Sequence, residues 1–471
     1  MATKLQKARR VPPVPAWAQS EDIRPGMTYL RLTDIISGAI RGGVITAGSR
    51  LPTQRELAVA LRLNVGTISR AYRRLQDDGL IDARPRHGSF VRMSPPSLDA
   101  GQTRVNLQTF ACLPARFAEE FSGILSDLAK DLTAIRAIEG YKLQGAMGEH
   151  REAAAEWMRG DDWTPDPQQT LLVENTTNAL FTLMLTLTDP GDVVAVEALT
   201  VPGVLTAAKV LNRRLVGIAM DEHGAIPEAL AALCREHKPK LVILTPNLQN
   251  PTCAPMPVER RRAVADVLSN AGVLLIEDDL FRDLIPADEQ APRFASMLPD
   301  STLVVTSTSK TVAQVIRLGM IVAPPSLFPS IATAVQAQSL FPPTLTADLF
   351  VRLQRAGALP RLKDSFREQF AERELLAREL LGEYGLRSWP FAPFAWLPFP
   401  DSQQAQRFYL NAMQSGVAVR FSEEFAVPGA NAEAGVRINI GAERDTEQFR
   451  GALQVLRDLL ATQHPVLDVA P

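Results

Sequence analysis

The sequence predicts an α/β protein of two domains: a three-helix unit closed by a short β-hairpin, then a large unit with a central, mostly parallel sheet, flanking helices and a small C-terminal α+β lobe. Three observations predict it. At 471 residues the chain exceeds what one core serves and suits a small domain plus a large one. Beyond about residue 106, short apolar runs alternate with helix-length segments, the pattern of a sheet covered on both faces. Charge is divided as well, with 16 Lys and Arg against 7 acids through Met93. That is +9, and it leaves −11 for the remainder of a chain whose net charge is −2. The N-terminal part is therefore the one that seeks a polyanion.

Composition removes several classes. An apolar content of 46% with 22% charged residues belongs to an ordered globular chain. Cys112, Cys234 and Cys253 are odd in number and widely spaced, so neither a disulfide framework nor a metal site is expected, and a reducing cytoplasm suits them. No apolar run approaches 18 residues and no hydrophobic signal segment opens the chain, so no membrane association is expected.

Residues 1–26, with Pro12, Pro13 and Pro15, read as a flexible basic arm. Residues 27–93 read as the small domain. Leu32, Ile35, Ile36, Ala39 and Ile40 recur at helical spacing, and Gly42-Gly43 stops that helix. Thr53 followed by Glu56 is a capping box, which predicts a second helix from Gln54 to about Leu61. Asn64 caps a third, running to Asp78 with Val65, Ile68, Ala71, Tyr72 and Leu75 inward. Leu80-Ile81 and Ser89-Phe90-Val91 are two short strands around Arg84-Pro85-Arg86-His87-Gly88, a wing. Residues 94–105 are polar, begin with prolines and read as a linker. Residues 106–471 form the large domain, with Pro360 to Tyr384 as a long helix and late strands near Val417–Phe421 and Val436–Ile440.

Two helices meeting at a tight turn before a β-wing present the third helix to a DNA major groove. Asn64, Thr67, Ser69 and Arg70 are the candidates for groove contacts, and Arg55 is placed to grip phosphate. Arg84, Arg86 and His87 at the wing would follow the backbone or enter the minor groove. Tyr29 to Val91 resembles the GntR family in its LPTQREL, NVGTISRAYRRL and DGLI…HGSFV segments. The resemblance implies a winged helix-turn-helix that binds double-stranded operator DNA, with Arg55, Thr67, Ser69 and the neighbourhood of Gly88 near it.

In the large domain, TSTSKTVAQVIRLG places Lys310 after an apolar strand with Ser307, Thr308, Ser309 and Arg317 close by. A lysine there can condense with an aldehyde, while hydroxyls and a guanidinium bind a phosphate dianion. Glu174-Asn175-Thr176-Thr177, between a strand and a helix, offers amides and hydroxyls to an anion. VLLIEDDL ends a strand in acids, and Asp278 can keep a pyridine nitrogen protonated. Asn250 in TPNLQNPTC can donate to a ring hydroxyl oxygen, and Arg437 in VRINIG is a fork for a substrate carboxylate.

This order of motifs resembles the fold-type I aminotransferases, and the fusion resembles the MocR subfamily of GntR regulators. The resemblance implies pyridoxal 5'-phosphate as cofactor, Lys310 as the internal-aldimine lysine, Asp278 as the pyridine partner and Asn250 as the ring-hydroxyl partner. It implies Ser307, Arg317, Thr176 and Thr177 as phosphate ligands, Arg437 as the α-carboxylate ligand, and a homodimer. Three positions depart from the family pattern: Val201 stands where a ring-stacking tyrosine is usual, Leu280 and Phe281 where a tyrosine hydroxyl is usual, and Cys253 where glycine is usual. The missing hydroxyl disfavours fast proton shuttling more than it disfavours binding. The expected function is therefore a regulator that senses an amino compound through the cofactor. The alternatives are a working aminotransferase carrying a DNA-binding domain, or a repressor whose large domain serves only for dimerisation.

Overall fold

A computed structural model describes residues 27–41, 44–45, 49–77, 80–84, 88–91, 105–111, 114–139, 147–339, 343–443 and 445–463. The chain divides into two compact units, Met1–Gln102 and Thr103–Pro471. The expected N-terminal arm and all of the expected linker but its last residue lie outside the described residues.

In the first unit, helices α1 (Tyr29–Arg41), α2 (Gln54–Leu61) and α3 (Val65–Asp77) precede strands β1 (Ile81–Arg84) and β2 (Gly88–Val91). The Thr53 side chain accepts from the Glu56 amide at 3.2 Å, and Glu56 accepts in return from the Thr53 amide at 2.9 Å. A cap of this kind contributes about 1 kcal/mol and fixes where α2 begins. Leu32, Ile36, Leu57, Ile68, Ala71, Leu75, Ile81 and Val91 close the core, and Tyr72 joins them while its hydroxyl donates to the Pro52 carbonyl at 2.8 Å. Val65 does not face inward as its spacing predicts; it is 44% exposed. It sits in the first turn of α3, and the buried stripe starts one turn later at Ile68. The wing strands are antiparallel, with Ile81 opposite Val91 and Arg84 opposite Gly88.

The second unit contains one seven-stranded sheet in the order Thr170–Val173, Gly319–Val322, Thr302–Ser307, Leu274–Asp278, Leu241–Leu244, Val193–Glu197, Arg214–Ile218. The apolar runs TLLVE, DVVAVE, RLVGIAM, KLVILTP, VLLIEDD, TLVVTS and LGMIVA all contribute to it. Six strands run one way; Gly319–Val322 is antiparallel to both neighbours because only residues 308–318 connect it to the preceding strand, and no helix crosses between them. One face of this sheet supplies an apolar cluster that includes Leu171, Val194, Ile243, Ile276, Leu303 and Ile321, and the other face divides between two clusters, with Leu172 and Val304 in one and Val242 and Leu275 in the other.

The smaller lobe carries a three-stranded sheet in the order Phe394–Pro398, Gly435–Asn439, Arg420–Phe421. The long helix spans Ala358–Leu381 and continues as one 3-10 turn to Tyr384, so it starts ahead of Pro360, which the first turn of a helix accommodates. Phe394–Pro398 is a strand that sequence spacing did not reveal. Val105, expected to end the linker, instead pairs in parallel with Val417, and Asn106 with Ala418. Among the described residues no helix is long and apolar enough to cross a membrane.

Candidate functional site

On the DNA-binding unit, the core stripe of α3 leaves the opposite face to Gly66, Arg70 and Arg73, with Thr67 and Ser69 at its edges. Arg55 and Arg70 are exposed, and Thr67 and Ser69 are half-buried. The Arg70 guanidinium lies 6.0 Å above the Tyr29 ring, a contact that draws it toward α1. Asn64 accepts from the Gly66 amide at 2.8 Å, so its oxygen is engaged in capping α3. Arg84 ends β1, whereas Arg86 and His87 lie outside the described residues. Arg73 was missed by sequence reasoning, although the helical period that buries Ile68, Ala71 and Leu75 also turns it outward.

On the large unit, the parallel strands deliver their C-terminal ends to one edge of the sheet, where ligand sites form in open α/β folds. Val173 leads to Thr176 and Thr177, Leu244 to Asn250, and Ser307 to Lys310, while Glu197 and Asp278 are themselves the last residues of strands. A cavity of about 450 Å³ opens there, and Lys310, Asn250, Thr177 and Arg437 all line it.

Hydroxyls gather beside one helix start. Thr176 Oγ1 donates to Ser307 Oγ at 3.1 Å, and Ser307 Oγ lies 2.9 Å from Ser309 Oγ. Asn175 caps the helix Thr176–Leu187, whose first amides point the same way. Gly319 makes the arrangement possible, because a Cβ there would lie 2.8 Å from the Asn175 backbone. Arg317 is exposed and does not line the cavity.

At the ring side, two adjacent acids have different surroundings. Asp279 accepts from Arg293 Nε at 2.7 Å and Asn247 Nδ2 at 2.6 Å. Asp278 is equally buried, yet its Oδ1 has no partner, and burial raises its carboxyl to about 7 with repulsion from Asp279 adding to the effect. An unpaired buried carboxylate oxygen is costly, and a protonated pyridine nitrogen would satisfy it. Glu197, which sequence reasoning missed, is raised by burial to about 8 and therefore holds its proton at neutral pH; Asp278 adds to the shift. It accepts from the Thr245 amide at 3.1 Å.

Burial lowers the Lys310 amine to about 7, with a further contribution from Arg437, so a large neutral fraction is ready to condense with a carbonyl. Its Nζ lies 4.2 Å above the Phe110 ring, and that ring packs where a Cβ on Gly441 would come within 2.5 Å. Arg437 is held between Phe394 and Phe425 at 5.5 and 5.1 Å. Its Nη1 donates to Asn250 Oδ1 at 3.0 Å and its Nη2 to the Gln108 carbonyl at 2.7 Å. Burial, then repulsion from Arg420, lowers it to about 9, which leaves it charged at neutral pH.

The three departures have physical consequences. Val201 caps the helix Pro202–Val210 and packs into the core, and Pro202 lines the cavity. Leu280 and Phe281 both line it, so no hydroxyl is offered there; Phe281 makes an edge contact with Phe394 at 5.3 Å. Cys253 adopts φ 61°, the left-handed region in which glycine costs least, and its thiol donates to the Phe394 carbonyl at 2.8 Å.

Lys310 and Arg437 thus face one cavity at the C-terminal edge of the sheet, with the hydroxyls of Thr176, Ser307 and Ser309 and the buried Asp278 close in sequence to its lining. The model of aminotransferase class I and II matches residues 120–456, and that of the bacterial regulatory proteins of the gntR family matches residues 28–91. The chain therefore belongs to aminotransferase class I and II, and with its gntR-type domain it has the make-up of the MocR subfamily of transcription regulators. It is 29% identical over 452 residues to the HTH-type transcriptional regulator YdeF of Bacillus subtilis, covering 94% of this chain and 97% of that protein. It is 28% identical to the vitamin B6 salvage pathway transcriptional repressor PtsJ of Salmonella typhimurium, over 90% of this chain and 96% of that one. The kynurenine aminotransferase of Pyrococcus horikoshii superposes with a TM-score of 0.70 at 21% identity, over 77% of this chain and 92% of that chain, which shows the fold. Family membership supports pyridoxal phosphate as the cofactor.

Asp278 lends itself to a stability test. Its carboxyl rises from an ordinary 3.8 to about 7, so between those values the folded protein keeps a proton that the unfolded chain has lost. Its burial penalty therefore grows across that window and is complete above it. Asp278→Asn is expected to stabilise the cofactor-free protein by about 1–3 kcal/mol at pH 8, with a much smaller gain at pH 5, while weakening cofactor binding. Thermal denaturation at both pH values, alongside a cofactor titration, checks this.

Proposed function

We propose that this protein is a pyridoxal-phosphate-dependent transcription regulator of the cytoplasm, acting as a homodimer on operator DNA and sensing an amino compound that carries a carboxylate. Bound at this site, the cofactor supplies an aldehyde for amines and a ring that withdraws electrons. In this reading Lys310 holds the aldehyde carbon. Thr176, Thr177, Ser307 and Ser309 receive the phosphate, joined by Arg317 from the exposed side, Asp278 keeps the ring nitrogen protonated, and Asn250 faces the ring hydroxyl. Arg437 takes the carboxylate of the amino compound. Arg55, Thr67, Ser69 and Arg70 meet DNA with Arg73 beside them, and Asn64 serves the same helix from its cap. Arg84, Arg86 and His87 approach DNA from the wing.

The observation that carries a sensor over an efficient enzyme is the pocket wall at Leu280, Phe281 and Pro202. It keeps the binding groups but supplies no phenolic hydroxyl to tune or move protons. A slow transaminase is the second reading, favoured by the near-neutral Lys310 amine. Mixing the coloured holoprotein with single amino acids and following both its visible spectrum and its retention of operator DNA tests the assignment. We expect one class of amino acid to shift the spectrum and to change DNA affinity by about tenfold, a coupling of the usual size for allosteric sites. Rapid multiple turnover with no change in DNA affinity would establish the enzyme reading instead.

A further inference from the structure

The segment 105–111 follows directly on the boundary between the two units at Gln102 and Thr103, and it forms part of the pocket wall. Val105 and Asn106 pair with Val417 and Ala418, and the Leu107 amide donates to the Ala418 carbonyl at 2.7 Å. Gln108 then turns its main-chain carbonyl into the pocket. That one oxygen accepts from Arg437 Nη2 at 2.7 Å and from Arg420 Nε at 3.3 Å. Arg420 and Arg437 are directly opposed across adjacent strands, and both line the cavity. Gln108 also donates from its side chain to the Val419 carbonyl at 3.0 Å. Two residues on, Phe110 lies beneath Lys310, and its carbonyl accepts from Gln314 at 2.6 Å.

Arg437 thus has both ends of its fork occupied by protein oxygens, one from Asn250 and one from Gln108. The Asn250 oxygen belongs to the pocket's own wall, whereas the Gln108 oxygen belongs to a strap. A carboxylate is the stronger acceptor for a guanidinium and prefers to bind both of its ends. We propose that the Gln108 carbonyl is a built-in stand-in for a ligand carboxylate, so that an amine bearing a carboxylate expels it from Arg437 and loosens residues 105–111, whereas an amine without one leaves the strap in place. Arg420 makes the device reversible by retaining the same carbonyl near its seat. The inference rests on the cofactor and effector reading above, and it adds what the effector's carboxylate displaces.

The test compares glycine and L-alanine with methylamine and ethylamine on the full-length holoprotein. Visible absorbance reports which amines join the cofactor, and amide hydrogen exchange reports the strap, through fragments containing Leu107 and Ala111. The Ala111 amide donates to the Gly441 carbonyl at 2.9 Å, so both positions start protected. Exchange there should rise about tenfold with the amino acids and stay unchanged with the simple amines, because the charge-assisted bond from Arg437 to the Gln108 carbonyl is lost only with the former. In Arg420→Gln the same amides should already exchange faster without ligand, and the increment on adding glycine should shrink; its visible absorbance verifies that the pocket is intact. Equal effects from both classes of amine, or joined amino acids with no change in exchange, overturn the proposal. A protein that takes up no cofactor removes the reading beneath it, and the proposal falls with it.

Discussion

Replacing Lys310 with alanine is expected to abolish the visible absorbance of the lysine-bound cofactor completely while leaving the fold intact. The side chain sits at the end of a 3-10 turn after the strand Thr302–Ser307 and its amine packs over the Phe110 ring, so among the described residues its removal breaks no structural hydrogen bond that the pocket depends on. The hydroxyl cup and Asp278 remain, so the variant should still hold the cofactor, reversibly and without a covalent link. Any proton transfer that the amine performs should slow by about 10²–10⁴-fold. In the native protein, the rate at which the covalent link forms should climb with pH through about 7 and then level off, since the folded amine loses its proton there rather than near 10.5. The same shift makes this lysine's contribution to stability rise between those values, because only the unfolded chain is still protonated. Reconstitution of the apoprotein at several pH values, followed by absorbance and then by dialysis, checks the lost band, the reversible binding and the pH dependence of the link, and thermal denaturation over the same pH range checks the stability. A Lys310→Ala protein that keeps the full visible band would overturn the assignment.

The sequence was informative where local chemistry determines structure and less so where distant segments meet. Thr53 and Glu56 define the start of α2 because a capping box is complete within four residues. The seven apolar runs became the seven strands of one sheet because continuous apolar character has few other uses at that length. Lys310, Asn250 and Thr177 were legible because each stands in a motif just beyond a strand or at a helix start, and Arg437 because it is a lone cation inside an apolar late strand; all four converge on one cavity. Gln108 and Arg420 were not, since the first acts through its main-chain carbonyl and the second through a cross-strand pairing with Arg437. Phe110 was missed for a related reason: its place under Lys310 depends on a glycine more than 300 residues later. Val65 shows the limit of periodicity, which gives the direction of a side chain but not whether a partner is there to cover it.

The double replacement Arg55→Ala with Thr67→Ala is expected to eliminate specific operator binding without altering the visible spectrum. The two residues do different work. Arg55 is exposed on α2, where a guanidinium reaches a phosphate, so its loss should weaken all DNA about equally and lower the salt dependence by roughly one counterion. Thr67 lies in the first turn of α3 at the edge of the outward face, where in the proposed reading a short side chain meets base edges; its loss should cost about 1–3 kcal/mol on the operator and little on unrelated DNA. Neither belongs to the core that Ile68, Ala71 and Tyr72 build, so thermal stability should move by no more than about 0.5 kcal/mol. Arg73→Ala serves as the companion measurement, because it removes a cation from the same outward face and should resemble Arg55→Ala in its salt dependence. Binding isotherms at several salt concentrations, on operator and on scrambled duplex, separate the two effects. Undiminished operator affinity in the double variant would show that α3 is not the element that reads DNA.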